Sequence, residues 1–195
     1  VTRGSLATRV NESGLIEPVG TLGADVVLNG DFEQVGADQV LNGDFSQEGS
    51  EIIVNGDFAT DSDWNKGIGW TISGGSANSD GTNAPIDQFS VTTVGKTYKV
   101  DVTVSNMTTA SLSIRLGLAS ADTIGTISSN GTYTFYGTVA SDTTFRMRAS
   151  NGFDGSIDNV SVVEVGQNWD VVGDGNFSIV SGALNYSNTV NGTWF

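Results

Sequence analysis

Four polar residues in the middle of the chain have the types and the spacing of a sugar-binding surface. Arg115, Tyr136, Arg146 and Arg148 each occupy a polar position in a run where polar and apolar residues alternate. Strand side chains alternate between two faces, so these four would point away from a core formed by their apolar neighbours. Guanidinium groups can hydrogen-bond sugar hydroxyls, and aromatic rings can stack on the C–H face of a sugar. The alternative is that they are ordinary solvent-facing residues paired with acids.

Two tryptophans, Trp64 and Trp70, are further candidates for sugar binding, because an indole ring offers a flat apolar face with a polar edge. Tryptophan is also highly buried on average. The alternative for both residues is therefore that they close one edge of a hydrophobic core.

The strands that would position these residues follow from residue 52 onward, where short alternating runs are separated by Gly, Asn, Ser and Asp. This pattern is typical of an all-β sandwich, and no segment has a helical pattern. We predict an all-β chain with four parts: an extended N-terminal attachment segment at 1–24, short β-repeats forming a neck at 25–51, a jelly-roll β-sandwich at 52–165, and the start of a second, truncated β-module at 166–195.

The neck is predicted from the motif Asn-Gly-Asp-Phe, which occurs at 29–32, 42–45 and 55–58, 13 residues apart each time. Each repeat combines a short β-rich run with an Asn-Gly turn. Units of this length cannot bury a core alone, so they must pack on each other, on sister chains or on a neighbouring domain. They are either a duplicated linker of hairpin turns or a fibre neck that holds a homotrimer together.

The composition excludes most catalytic chemistry. The 195 residues include no His and no Cys, so the usual zinc centres, haem ligation, thiol nucleophiles and Ser–His–Asp triads lack their residues. No carboxylate pair lies in an apolar context that would raise a pKa, as a glycosidase acid requires. We therefore predict that the protein is not an enzyme.

The charge balance argues against nucleic acid as a partner. Eight basic and 22 acidic residues give a net charge of −14, and such a surface repels a polyanion. No apolar run approaches the roughly 20 residues that a membrane-spanning helix needs. We therefore predict neither nucleic-acid binding nor membrane insertion.

Several motifs together carry a resemblance. They are IVNGDF (53–58), the Trp64 and Trp70 pair, TTVGKTYKVDVTVSN (92–106), SNGTYTFYGTV (129–139) and DGSIDNVSVVEV (154–165). The segment that contains them resembles the carbohydrate-binding modules of the family 4, 9 and 22 type. This implies a galactose-binding-like jelly roll that binds a glycan. After it, NWDVVGDGNFSIVSGALNYSNT (168–189) resembles the 63–82 stretch of the same module, as if a second module began there.

The resemblance also implies a structural Ca²⁺ between the first and last strands of the module. The matching residues are Asn55, Asp57 and Asp158, whose oxygen atoms are of the hard type that Ca²⁺ prefers. Ala59 stands where the family has a Glu ligand. The alternative is that Asp57 bonds turn amides and Asp158 caps a strand.

The N-terminal sequence TRGSLATRVNESGLIEPVG (2–20), followed by the Asn-Gly-Asp-Phe repeats, resembles segments of phage virion proteins such as tail or head fibres. This implies a structural component on the virion surface, outside the cell, that contacts other virion proteins and presents a module for attachment to host-surface glycans. The alternative is a carbohydrate-binding module of a secreted bacterial glycan-degrading enzyme or adhesin.

Overall fold

The computed structural model describes residues 8–10, 12–14, 16–18, 40–169 and 177–186. Within these ranges the secondary structure consists of β-strands and a single 3-10 turn, Ser120–Asp122, which confirms the all-β prediction. No helix in the described part of the chain is long and apolar enough to cross a membrane. The first Asn-Gly-Asp-Phe repeat, at 29–32, lies outside the described residues, as does most of the predicted attachment segment.

The chain divides into two compact units, Val1–Gln39 and Val40–Phe195. In the first unit, β1 (Thr8–Val10) pairs antiparallel with β2 (Ile16–Pro18). The strands of the second unit are β3 (Glu48–Glu51), β4 (Asn65–Lys66), β5 (Trp70–Ser73), β6 (Ser76–Asp80), β7 (Pro85–Gln88), β8 (Thr97–Leu116), β9 (Thr123–Ile127), β10 (Gly131–Thr138), β11 (Phe145–Val165), β12 (Phe177–Val180) and β13 (Ala183–Tyr186).

Two long antiparallel strands, β8 and β11, organise the second unit. Their register runs from Phe145 opposite Leu116 to Val165 opposite Thr97 and shifts at bulges in between. Asn106 lies close to these shifts with a φ of 54°, a left-handed conformation that Asn tolerates better than most residues. Because of this interruption, each long strand contributes to two separate halves of the sheet.

The two halves use different neighbours of β8 and β11. In one half, β7 and β9 flank the pair formed by 145–150 and 111–116, and β4 adds to β7. In the other half, β3 and β10 flank the pair formed by 157–165 and 97–104. The β5–β6 hairpin pairs with β11 between them.

One hydrophobic cluster joins both halves into a sandwich. Alternate residues of β8 are buried on its inner side, with at most 3% of their surface exposed: Tyr98, Val100, Val102, Val104, Leu112, Ile114 and Leu116. Phe145, Met147, Ile157 and Val162 of β11 are fully buried in the same cluster. The residues between the inward ones on each strand therefore face away from the core, as the alternation predicts.

The third Asn-Gly-Asp-Phe repeat, at 55–58, forms a tight turn at the edge of this core. The Phe58 N–H donates to the Asn55 carbonyl at 3.1 Å, and the Trp64 indole N–H donates to the same carbonyl at 2.9 Å. The Phe58 and Trp64 rings pack with their centroids 5.1 Å apart. The Val160 N–H donates to the Gly56 carbonyl at 2.9 Å, which attaches the turn to β11.

The second repeat, at 42–45, forms the same arrangement with a different tryptophan. The Phe45 N–H and the Trp169 indole N–H both donate to the Asn42 carbonyl, at 3.0 and 2.9 Å. The Phe45 and Trp169 rings also lie 5.1 Å apart. We call this turn, with its indole hydrogen bond and its ring contact, the Asn–Trp clasp.

The hairpin at 177–186 also repeats a feature of the first module. Phe177 pairs with Tyr186 and Val180 with Ala183, as Trp70 pairs with Ser79 and Ser73 with Ser76. The β12–β13 hairpin thus has the register and length of the β5–β6 hairpin.

The two clasps allow a matched test of how the third repeat is held. A Cβ atom on Gly56 would lie 2.0 Å from the Val160 carbonyl oxygen, whereas a Cβ on Gly43 would make an ordinary 3.5 Å contact with the Val40 side chain. We expect Gly56→Ala to lower the free energy of unfolding by about 3 kcal/mol, because the clash is with backbone that cannot rotate away. Gly43→Ala should change it by less than about 0.5 kcal/mol. Chemical denaturation of both variants checks this, and equal stability would contradict the docking of Gly56 on Val160.

Candidate functional site

The β8–β11 pairing brings the three arginines predicted from the sequence onto one face of the sheet. Arg115 lies directly opposite Arg146, and Arg148 lies opposite Ser113, two residues before Arg115 on β8. Directly opposite residues of antiparallel strands have Cβ atoms about 4.5–5.5 Å apart, and residues two apart on a strand share a face. On the next strand, β7, Asp87 lies opposite Arg146. We call Asp87, Arg115, Arg146 and Arg148 the arginine face.

Arg146 is held in place by Asp87. The Arg146 Nε and Nη2 atoms donate to the two carboxylate oxygens of Asp87, each at 2.8 Å. Asp87 is 1% exposed, so this two-point ion pair is largely shielded from water. The hydrogen bond to Asp87 raises the pKa of Arg146 despite the opposing effect of burial. Arg146 therefore remains a fixed cation in the centre of the face.

Arg115 has no comparable partner. It is 8% exposed, and its buried Nε has no hydrogen-bond acceptor among the described residues. Burial lowers the pKa of Arg115, and repulsion by Arg148 and Arg146 lowers it further, against a smaller attraction by Asp122. The local field at this guanidinium is therefore net positive, although the chain as a whole is acidic.

Ion pairing distinguishes Arg115 and Arg148 from the other basic residues that the structure describes. The structure describes six basic side chains, and four of them pair with carboxylates: Lys66 with Asp61, Lys96 with Glu164, Lys99 with Glu48 and Asp101, and Arg146 with Asp87. In the same described ranges, Arg115 and Arg148 have no carboxylate within ion-pair distance. The alternative interpretation, ordinary surface residues paired with acids, thus describes Arg146 but not these two.

Tyr136 lies in the other half of the sheet. It is on β10, opposite Lys99, and is partly exposed. Lys99 donates to Glu48 at 3.0 Å, and the neighbouring Asp101 accepts a hydrogen bond from Thr134. The structure therefore places Tyr136 next to a network of paired charges and away from the arginine face.

Trp64 and Trp70 lie in the core, with 7% and 5% of their surface exposed. The Trp64 indole N–H donates to Asn55, and the Trp70 indole N–H donates to the Ala84 carbonyl at 2.9 Å. Trp70 stacks on the buried ring of Phe153. Both tryptophans are therefore buried at the edge of the hydrophobic core, which is the alternative to sugar stacking given by the sequence analysis.

The predicted calcium ligands are engaged in local turn contacts. The Asn55 side-chain oxygen accepts the Thr60 N–H at 3.2 Å, and Asp57 accepts the Ala59 N–H at 3.3 Å. Asp158 accepts the Asn159 N–H at 2.6 Å. In the part of the chain that the structure describes, no group of three or more His, Cys, Asp or Glu side chains could hold a metal ion. These contacts are those of turn residues, and calcium binding stays a prediction.

Asp87 of the arginine face and Phe89, which follows the same strand, were not identified by the sequence analysis. Asp87 lies between Ile86 and Gln88, which are also buried, so the short β7 lacks the alternation that marks a strand residue as outward-facing. Phe89 directly follows β7 and is 53% exposed. An exposed aromatic ring at the end of a row of guanidiniums is the type of group that stacks on a sugar. Only the pairing of β7 with β11 connects these residues to the arginines.

Comparisons with known proteins gave matches to solved structures only. No family model and no curated protein matches the chain. A mutant of a family 29 carbohydrate-binding module is 16% identical, with a TM-score of 0.42 over 60% of this chain and 89% of that one. A carbohydrate-binding module from Clostridium stercorarium, in complex with cellobiose, is 16% identical, with a TM-score of 0.35 over 51% and 83%. A structure described as "CBM4 structure and function" is 20% identical, with a TM-score of 0.37 over 64% and 98%.

The buried ion pair makes a prediction about stability. We expect Asp87→Asn to lower the free energy of unfolding by about 3–5 kcal/mol, because it leaves the Arg146 charge uncompensated next to Arg115. The control is Asp61→Asn, which removes the partner of Lys66 at an exposed site where Asp61 is 55% exposed. That change should cost less than about 1 kcal/mol. Urea denaturation measures both, and a similar small loss for both variants would contradict the structural role of Asp87.

Proposed function

We propose that this chain is a non-enzymatic glycan-binding component of a phage particle, a tail or head fibre or another surface appendage that attaches to host-surface glycans. The arginine face is the proposed contact surface. The observation that carries the proposal is that the two basic residues without carboxylate partners, among the six described, lie together on this one face.

The chemistry of the face supports ligand binding. An unpaired buried donor such as Arg115 Nε is costly unless something supplies an acceptor. Guanidinium groups directly opposite each other on neighbouring strands also repel. A protein retains such an arrangement at a cost in stability, which is typical of functional sites. A ligand with several oxygen atoms would offset the repulsion and accept hydrogen bonds from the guanidinium groups that it reaches.

The virion context is supported by the resemblance of residues 2–20 and of the repeats to phage fibre proteins. In that setting the protein would be extracellular, on the virion surface, and would contact other virion proteins. A module of a secreted glycan-degrading enzyme or adhesin would use the same face. The genes flanking the coding sequence discriminate between the two, because virion genes favour the fibre, whereas a catalytic domain in the same chain favours the enzyme.

Glycan binding is tested with a glycan array that includes neutral and carboxylated glycans. We expect the wild-type chain to bind at least one glycan class and Arg148→Ala to weaken that binding at least tenfold, because it removes a charged donor. Lys96→Ala is the control, since it removes the same charge from a residue that precedes β8 and pairs with Glu164. Binding to no glycan, or equal weakening by both variants, would overturn the proposal.

A homotrimer held by residues 25–51 is part of the proposed fibre. Phe45 of the second repeat packs on Trp169 of the same chain, so a sister chain is not needed to cover that ring. Leu41 of the same segment is 68% exposed, so apolar surface remains there for a sister chain. We expect light scattering to give three times the chain mass at micromolar concentration, and deletion of residues 25–50 to give a monomer. A monomeric full chain would contradict the trimer and leave glycan binding unaffected.

A further inference from the structure

We propose that the arginine face selects glycans whose sugars carry a carboxylate, such as uronic or sialic acids, a specificity that rests on the proposed glycan binding. The face has two cationic side chains beyond those that the protein itself neutralises, and it places them beside sugar-compatible hydroxyl groups. A neutral glycan would leave both charges uncompensated.

Three carboxylates lie near the arginines of this face: Asp87, Asp122 and Asp142. Asp87 is used by Arg146. Asp122 lies near Arg115, but its carboxylate accepts the Ala119 N–H at 2.7 Å, and it is outweighed there by the repulsion of the other two arginines. Asp142, near Arg146, accepts the Thr144 N–H at 2.9 Å. In the described ranges, neither Arg115 nor Arg148 has a carboxylate within ion-pair distance.

The burial of Arg115 is the second, independent observation. An arginine that is more than nine-tenths buried normally has its donors satisfied, because an unpaired buried donor retains its full desolvation cost. Arg115 instead has an orphan Nε beside two further guanidiniums. A carboxylate brings a full negative charge to these guanidiniums and can accept two parallel N–H bonds from one of them, so it matches the uncompensated charge better than a hydroxyl does.

Hydroxyl groups on the same face favour a sugar as the carrier of the carboxylate. Ser113 lies opposite Arg148 and two residues before Arg115, and Thr126 on β9 lies opposite Ser113. Both can donate and accept hydrogen bonds with ring hydroxyls. Phe89, at the end of the neighbouring strand, adds an exposed aromatic ring. A simple anion would use the charges and none of these groups.

The net charge of −14 limits the size of the acidic ligand. Long-range repulsion would oppose a densely charged polymer, while a short contact inside the face is screened less by salt than that repulsion. Short oligosaccharides are therefore the appropriate probes. We choose trigalacturonate and sialyllactose, each compared with its methyl ester, in which the carboxylate charge is removed and the sugar ring retained.

We expect at least one free acid to bind and its methyl ester to bind at least tenfold more weakly, by calorimetry on the full chain. Arg148→Lys should also weaken binding about tenfold, because the lysine keeps the positive charge but lacks the planar guanidinium that binds a carboxylate at two points. Lys96→Ala should leave binding unchanged. Triglutamate, which has carboxylates without sugar rings and a length similar to that of the sugar probes, should not bind. Equal binding of acid and ester, selection of neutral glycans on the array, or binding of triglutamate would overturn the inference and leave glycan or anion binding standing. Binding to no glycan at all would overturn the proposed function as well.

A second variant distinguishes loss of a ligand contact from loss of the fold. Arg115→Met replaces an uncompensated buried charge with an apolar side chain of similar length, so we expect it to abolish binding of the free acid and to raise the melting temperature by about 2–4 °C. The combination of higher stability and lost binding distinguishes a ligand-binding arginine from a structural one. A lower melting temperature for Arg115→Met would show that the protein itself satisfies this guanidinium and would overturn the inference.

Discussion

The backbone pairing of β8 with β11 is the interaction on which the rest of the structure depends. It joins the two halves of the sheet, buries alternate residues of both strands in one core, and places Arg115 opposite Arg146. The left-handed residues and bulges near its middle divide each strand between the two halves of the sheet without ending it. The same covalent segment therefore supplies core on its inner side and the arginine face on its outer side, and a change in its register would exchange the two.

The distribution of charge shows that the arginine face is not a by-product of composition. In so acidic a chain, carboxylates are plentiful, and most described basic side chains lie next to one. Arg146 takes Asp87, and this pair fixes a cation beside Arg115. The repulsion that results must be offset by the hydrophobic burial of the surrounding strands, where Ile114, Leu116 and Met147 are almost fully buried. Stability and charge placement thus oppose each other at this site.

Much of the fold could be predicted because alternation with period two survives in parts of β8 and β11, and it gave the inner and outer sides of 98–104 and 111–116 in β8 and of 145–148 in β11. The side of a strand does not say which half of a bent sheet a residue occupies, so Tyr136 could be placed outward but not away from the arginines. The sequence did not indicate Asp87, because Asp87 meets Arg146 only through the pairing of β7 with β11 and its sequence neighbours give no sign of that pairing. The burial of Trp64 and Trp70 likewise depends on rings distant from them in the chain, those of Phe145 and Phe153.

The duplication of the Asn–Trp clasp has a consequence for the order of folding. The clasp at Asn55 closes a loop of 9 residues to Trp64, and the one at Asn42 closes a loop of 127 residues to Trp169. By loop-closure entropy the longer loop costs about 2.3 kcal/mol more, so the local clasp forms first. Asn42 is only 22 residues from Trp64, a loop that costs about 0.8 kcal/mol more than the correct one. Early in folding the two turns therefore compete for one indole, and the shorter loop favours the nearer turn.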